Sequence, residues 1–373
     1  MAHFTLARVW KTAGGAGEAL ALLEAARQGF EEIATARDNK AAEGMASACL
    51  TEQGDCLWLL GRLEEAAAAY QEAIGRHEQR GAKRGVAVGK GQLGSVRLDQ
   101  GRHREALAAY EETRSRFTRL REDGSVATVW HQTGKAYEKM GQGEAAEAAY
   151  RRALAIFVRL GNDAGQATTL GQLGNLYASV LNRPEEAVGF YRQAADKYIG
   201  IGDVAGEGRQ RNNLAESLRR LRRLDAARRE IRRAMECDKG LGHAAEPWKS
   251  WDVLADIETD AGNRDGARQA KTQARDAYLA YRRDGGENHS GAGRLALAVA
   301  QGLAKGQTAE AAALLQEQLP RFEAAGFGGF IRALQAIVAG GREPSLADDP
   351  ELSYSMAAEI LLLVEEESLK GEV

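Results

Sequence analysis

Apolar residues recur along this chain at the spacing of one face of an α-helix. Residues 128–140 carry them at i, i+3, i+4 and i+7, and residues 145–160 do so again. This spacing predicts two amphipathic helices. Residues 141–143 read Gly-Gln-Gly between them, and glycine ends a helix at little cost because it reaches the left-handed conformation. We therefore predict a helical hairpin, with Asn162 capping the helix that follows.

The hairpin pattern repeats with a period of about 40 residues. Each copy has a small residue in its first helix and a bulky residue in its second. The small residues are Gly54, Gly94, Gly134, Gly174, Ala215 and Ala255, and the bulky ones are Tyr70, Tyr110, Tyr150, Tyr191, Ile231 and Lys271. Two weaker copies flank these six, so we predict about eight helix pairs that stack to bury a continuous core.

Composition adds one question, because 43 of the 373 residues are glycine. Glycine costs about 1 kcal/mol relative to alanine inside a helix. Some glycines mark the predicted turns, but Gly54, Gly94, Gly134 and Gly174 lie in mid-helix. We expect these four to be contact points where the tyrosine of the second helix packs against the first.

Charge and cysteine content exclude several classes of protein. The formal net charge of −3 gives no global reason to expect a nucleic-acid partner. Three scattered cysteines are too few for a disulfide framework, which fits a reducing compartment. No apolar run approaches the ~20 residues of a membrane helix, and residues 1–10 do not read as a secretory signal. We expect a cytoplasmic protein without a membrane partner.

The pattern resembles the tetratricopeptide repeat. Small residues at the eighth, twentieth and twenty-seventh positions, an aromatic at the twenty-fourth and glycine at the turn carry the resemblance over roughly residues 1–325. The 40-residue period is similar to the long-helix variant found in kinesin light chains and in bacterial signalling proteins. The resemblance implies an all-α fold, a right-handed α-solenoid. We predict a solenoid at 1–283, a linker-like loop at 284–293, a last degenerate unit at 294–325 and capping helices at 326–373.

Catalytic and metal-binding signatures are almost absent. Residues 89–94 match the dinucleotide pattern G-x-G-x-x-G, but they lie inside a predicted helix rather than between a strand and a helix. No two histidines are spaced i, i+4, no C-x-x-C occurs, and no nucleophile motif stands out. We expect no enzymatic activity, no cofactor and no metal site.

A column of polar residues on the first helices is the candidate binding site. Two residues before the small position stand Gln92, Gln132, Gln172 and Asn213, and the next turns carry Asp55, Ser95, Lys135, Asn175, Glu216, Lys139 and Arg220. A carboxamide donates and accepts, so such a column suits the peptide groups of an extended chain. In kinesin light chains an Asn at the matching place clamps ligand backbone, and the resemblance implies this role for the four amides. A hydrogen-bond ladder that braces the stack is the alternative.

Arginines and tryptophans supply further candidates. Residues 209–233 hold ten arginines against three acidic residues. They form either a solvated helix face or a patch for an acidic partner, phosphate or nucleic acid. The patch is represented by Arg209, Arg211, Arg219, Arg222 and Arg223. Trp130 and Trp251 occupy the repeat's own tryptophan position and belong to the expected core. Trp58 and Trp248 are candidate ligand anchors.

Three functions follow from these patterns. The first is a non-catalytic scaffold that binds a protein or peptide in its concave groove. The second is the regulatory or sensor region of a larger bacterial signalling ATPase of the STAND type, because residues 243–251, 284–289 and 346–363 resemble segments that close the arrays of such proteins. That alternative predicts an effector or NTPase region before Met1. The third is a nucleic-acid or phosphate binder that uses the arginines of residues 209–233.

Overall fold

The computed structural model describes residues 1–349 and 351–371, with side chains described up to residue 366. Residues 350, 372 and 373 of the predicted C-terminal cap lie outside the described residues. The described residues form eighteen α-helices and no strand, which confirms the all-α prediction. In chain order the helices are α1 Ala2–Thr12, α2 Ala16–Arg37, α3 Lys40–Leu59, α4 Leu63–Gln79, α5 Lys83–Asp99, α6 His103–Leu120, α7 Asp123–Lys139, α8 Gly143–Arg159, α9 Asp163–Asn175, α10 Pro184–Ile201, α11 Val204–Arg220, α12 Leu224–Asp238, α13 Pro247–Asp260, α14 Arg264–Arg283, α15 Gly291–Ala304, α16 Thr308–Ala324, α17 Gly328–Val338 and α18 Tyr354–Gly371.

Tertiary contacts divide the chain into two compact units, Met1–Lys197 and Tyr198–Val373, called unit 1 and unit 2 below. Unit 1 stacks helix pairs in chain order, and α9 continues into a short π-helical turn at Leu176–Val180. In unit 2 the last helices share a core of their own, in which Leu315, Phe330 and Ile360 are buried. The boundaries predicted at 283, 293 and 325 stay predictions. None of the described helices is both long and apolar enough to cross a membrane.

The mid-helix glycines of unit 1 lie where the prediction placed them, against tyrosine rings. A Cβ atom built on Gly134 would lie 2.6 Å from ring carbons of Tyr150, and one on Gly174 would lie 2.5 Å from Tyr191. Cβ atoms built on Gly54 and Gly94 would likewise lie 2.7 and 2.9 Å from ring carbons of Tyr70 and Tyr110. All four tyrosines are buried. The glycines are therefore needed for close packing of the two helices of each pair.

The packing predicts opposite effects for two glycine substitutions in unit 1. Gly134→Ala is expected to destabilise unit 1 by about 1–2 kcal/mol, because overpacking against Tyr150 exceeds the gain in helix propensity. Gly75→Ala is the matched control in α4, where a Cβ would meet nothing within 4 Å. It is expected to stabilise by about 0.5–1 kcal/mol. Urea unfolding of the two variants measures both changes, and equal effects would refute the contact role of Gly134.

Turns and caps follow the local chemistry of the sequence. Gly141 has a φ of +70° at the turn between α7 and α8, and the Asn162 Oδ1 accepts a hydrogen bond from the Gly165 N–H at 2.9 Å. Both predictions for this hairpin are thereby confirmed. Helix α15 begins at Gly291, within the segment 284–293. Ser290 caps that helix by accepting a hydrogen bond from the Gly293 N–H at 3.0 Å.

Candidate functional site

Among the first helices of the pairs in unit 1, α3, α5, α7 and α9 carry the predicted column. We call it the polar row, and its residues are Asp55, Gln92, Ser95, Asp99, Gln132, Lys135, Lys139, Gln172 and Asn175. Side chains connect neighbouring first helices along it: Gln92 Nε2 donates to Asp55 Oδ1 at 3.4 Å, and Lys139 Nζ donates to Asp99 Oδ1 at 2.8 Å. These contacts connect α3, α5 and α7 along the row.

Buried tyrosines brace most of the polar row from behind. The Tyr70 hydroxyl donates to Asp55 at 2.5 Å. The Tyr191 hydroxyl likewise donates to Asn175 Oδ1 at 2.8 Å, and Tyr110 donates to the Ser95 hydroxyl at 3.1 Å. In α7 the corresponding residue is Lys135, which offers no acceptor. The Tyr150 hydroxyl therefore donates to Glu138 instead, at 2.7 Å.

As a result, the side chains of the row that make no hydrogen bond or ion pair within the described residues lie on α7. Gln172 Oε1 accepts from Asn175 Nδ2 at 3.3 Å, and Gln92 contacts Asp55. The carboxamide of Gln132 and the ammonium of Lys135, by contrast, make no hydrogen bond or ion pair within the described part of the chain, and both side chains are partly exposed. The contact of Gln92 is thus one between neighbouring first helices, whereas the Gln132 carboxamide makes none within the described residues.

Charges at the start and middle of the row are held by ion pairs. Lys11 of α1 contacts Glu52 and, at 3.0 Å, Asp55. Burial alone would lower the pKa of Lys11, but its hydrogen bonds to Glu52 and Asp55 outweigh burial and raise it. Burial would likewise raise the pKa of Asp99, and the hydrogen bonds from Lys139 and Trp58 hold it below its usual value. Both groups are therefore charged at neutral pH, and each is already neutralised by a partner.

Unit 2 carries the remaining members of the predicted column on α11. Asn213 is partly exposed, Arg220 is exposed, and Glu216 accepts hydrogen bonds from both ends of the Arg219 guanidinium at 2.7 and 2.8 Å. The partners of Glu216 therefore belong to its own helix.

The arginine-rich segment 209–233 is less basic in the structure than in the sequence. Arg211 is only 6% exposed, between Glu207 and Glu230. Arg219 and Arg222 both reach Asp260 of α13, at 2.8 and 2.7 Å. Arg228 makes a bidentate pair with Glu258, also of α13. Arg209 and Arg223 are exposed.

The three acidic residues of this segment are not its only carboxylate partners. Helix α13 supplies Glu258 and Asp260 from outside the segment. Much of the charge expected of a docking patch is neutralised within unit 2.

The tryptophans named as candidates have different surroundings in the structure. Trp248 is 4% exposed and packs edge-on against Tyr278 at 5.3 Å between ring centroids, so its assignment as a ligand anchor is wrong. Trp58 donates its Nε1–H to Asp99 at 2.8 Å and is partly exposed. Trp130 packs against a core cluster, and the guanidinium groups of Arg114 and Arg152 lie over its ring, at 3.9 and 4.5 Å from the ring centre.

The glycines of the G-x-G-x-x-G segment have packing roles. They lie within α5, where Cβ atoms on Gly89 and Gly94 would meet the side chains of Ile74 and Tyr110. Within residues 1–349 and 351–371 no three His, Cys, Asp or Glu side chains are grouped to hold a metal ion. Sequence reasoning missed a charged cleft of unit 2 beside Lys271. The only signal for it was lysine at the tyrosine position of the repeat.

The comparisons with known proteins agree with this architecture. The family model of the tetratricopeptide repeat matches residues 45–119, 85–157 and 125–199, which confirms the predicted repeat over residues 45–199. Among curated protein sequences none matches this chain.

Solved structures share the fold at low sequence identity. The tetratricopeptide repeat sensor protein PH0952 from Pyrococcus horikoshii, a signal transduction ATPase with numerous domains, is 16% identical, with a TM-score of 0.59 over 73% of this chain and 41% of that one. This chain therefore spans less than half the length of that relative. Apo RapI is 13% identical, with a TM-score of 0.53 over 74% of this chain and 96% of that one. The Rap conjugation gene regulator of plasmid pLS20, in complex with the Phr* peptide, is 14% identical, with a TM-score of 0.50 over 73% of each chain.

Proposed function

Because residues 45–199 of this chain are tetratricopeptide repeats, we propose that unit 1 is a non-catalytic binding module for an extended segment of a partner protein. The segment lies along the polar row and is held chiefly at α7. The proposal rests on Gln132 and Lys135, which are adjacent on one helix face. Neither side chain makes a hydrogen bond or an ion pair within the described residues. The peptide in the solved Rap regulator from pLS20 gives a parallel for such a ligand on this fold.

The chemistry of α7 specifies what the segment offers. A carboxamide at Gln132 accepts a backbone N–H and donates to a backbone C=O, which fixes the register of an extended chain. The ammonium of Lys135, one turn later on the same face, selects an acidic side chain beside that peptide group. The row around them is already paired, at Asp99 with Lys139 and at Asp55 with Gln92. The rest of the polar row therefore contributes shape complementarity to the interface more than it contributes charge.

Binding experiments with substitutions in the row test the proposal. The Gln132→Ala/Gln172→Ala and Lys135→Met variants are expected to lose about tenfold or more in affinity for the partner, since each removes hydrogen-bonding or charged groups from the interface. Partners retained by the wild-type chain are identified by mass spectrometry and reduced to synthetic peptides. Calorimetry then gives the affinities.

Two exposed residues provide matched controls. Gln193 of α10 and Lys40 of α3 are exposed and lie outside the polar row, so Gln193→Ala and Lys40→Met should leave binding unchanged. A Gln132→Ala/Gln172→Ala protein that folds normally yet retains every partner at wild-type affinity would contradict the proposal.

A second candidate is the sensor region of a larger signalling ATPase. The likeness to PH0952 supports it, because this chain aligns with 41% of a protein described as having a tetratricopeptide repeat sensor. In that case the same row would bind the signal. An effector or NTPase region would then be encoded upstream of Met1, and the genomic reading frame decides between the two arrangements.

A further inference from the structure

Unit 2 contains a cleft that the proposed binding module does not use. It has a volume of about 1070 Å³ between α13, α14 and the beginning of α18. Small-molecule sites measure roughly 300–1,000 Å³, so the space suits a ligand larger than an ion. All of its lining residues belong to unit 2.

The cleft exists where the repeat changes one residue type. In unit 1 a tyrosine of the second helix packs on the small residue of the first, as Tyr191 does on Gly174. In the α13–α14 pair that tyrosine position holds Lys271, and the small position holds Ala255. Lys271 is exposed and does not bury itself against Ala255 as a tyrosine ring would. The face of α13 that carries Asp252 therefore borders the cleft.

Two opposite charges face this cleft without an ion pair. Asp252 and Lys271 both line it, and among the described residues neither makes a hydrogen bond or an ion pair. Two other charges of the cleft, by contrast, are paired, since Arg275 contacts Asp348 at 3.3 Å and Asp256 is reached by Arg219 at 3.5 Å. A carboxylate and an ammonium on neighbouring helices that make no direct ion pair within the described residues form a dipolar site.

The surroundings of Asp252 leave its negative charge under-compensated. Burial comes first, followed by the negative charge of Asp256, and together they raise the pKa of Asp252 to about 6. Lys271 and Arg219 oppose this rise and Glu216 adds to it, while Tyr354 faces the group from α18. A ligand cation placed against Asp252 would supply the charge that the fold does not.

We propose that this cleft binds a zwitterionic ligand, a free amino acid or a short peptide, with its ammonium on Asp252 and its carboxylate on Lys271. The side chains of Phe327 and Tyr354 line the same cleft, and their rings offer surface to an apolar side chain or to the ammonium itself. The site belongs to unit 2 alone and does not depend on the polar row of unit 1.

Calorimetry on the full chain tests the proposal with three probes: L-phenylalanine, glycylglycylphenylalanine and the doubly blocked N-acetyl-L-phenylalanine amide. At least one unblocked probe is expected to bind at pH 7.5, while the blocked probe does not. Binding of phenylalanine alone points to a free amino acid, and binding of the tripeptide points to a peptide. Asp252→Asn and Lys271→Met are each expected to weaken binding about tenfold or more.

Matched controls and a pH series complete the test. Asp265→Asn and Lys305→Met change exposed residues outside the cleft and should not alter the affinity. Because only the ionised Asp252 attracts the ammonium, wild-type affinity should fall about tenfold from pH 7 to pH 5, and Asp252→Asn should abolish this dependence. No binding of either unblocked probe at ~10 mM, full affinity in Asp252→Asn, or an affinity independent of pH would each overturn the proposal.

Discussion

Replacing Glu359 by alanine is expected to destabilise unit 2 by about 3–5 kcal/mol, because it leaves a partly buried arginine without its carboxylate. Glu359 lies on α18 and is 3% exposed. It accepts two hydrogen bonds from the Arg282 guanidinium, at 2.8 and 3.1 Å, and one from Asn288 Nδ2 at 2.9 Å. One carboxylate thus joins α14, α18 and the loop that precedes α15.

Native-state hydrogen exchange of the α14 and α18 amides measures this loss as a lower free energy of opening. The matched control is Glu365→Ala on the same helix, where the pair with Arg283 is about half exposed on both sides and is worth roughly 0–1 kcal/mol. The double variant Arg282→Met/Glu359→Leu removes both charges and should recover much of the stability. Similar losses for Glu359→Ala and Glu365→Ala would refute the linking role.

The repeat architecture was predictable from sequence because its determinants are local and recur. Mid-helix glycines such as Gly134 and Gly174 must face a bulky residue, and the fixed spacing to Tyr150 and Tyr191 identifies that residue. Turn glycines and the Asn162 cap act within a few residues of their own positions. Patterns of this kind can be read one copy at a time, and the other copies test each interpretation.

The pairing of charges was not predictable, because it depends on which helices become neighbours. The arginines of residues 209–233 read as a basic patch until Glu258 and Asp260 of α13 are placed beside Arg228 and Arg219. Trp248 looked free because the tyrosines that bury it, Tyr278 and Tyr281, lie on the next helix, α14, rather than near it in sequence. The same reasoning explains the candidate site: the amides of the column were identified from their spacing, but only their partners separate Gln92 from Gln132.

Acidification is expected to weaken unit 1 through one buried histidine. His131 of α7 is 8% exposed, its Nδ1 lies 3.2 Å from the hydroxyl of Thr169 on α9, and its ring packs 5.4 Å from that of Tyr150. Burial, with a smaller effect from the positive charge of Lys135, lowers the pKa of His131 to about 4. In the unfolded chain the pKa of histidine is about 6.5.

Between pH 6.5 and pH 4 the unfolded chain therefore binds a proton that folded unit 1 rejects, so stability falls as the pH falls. From this group alone the loss is about 2 kcal/mol at pH 5. Hydrogen exchange of the α7 amides at pH 7 and pH 5 measures it. His131→Gln should remove this part of the pH dependence, whereas His3→Gln, at an exposed position of unit 1, should keep it. If His131→Gln and the wild type lose equal stability on acidification, then carboxylate titration rather than the buried imidazole sets the acid sensitivity of unit 1.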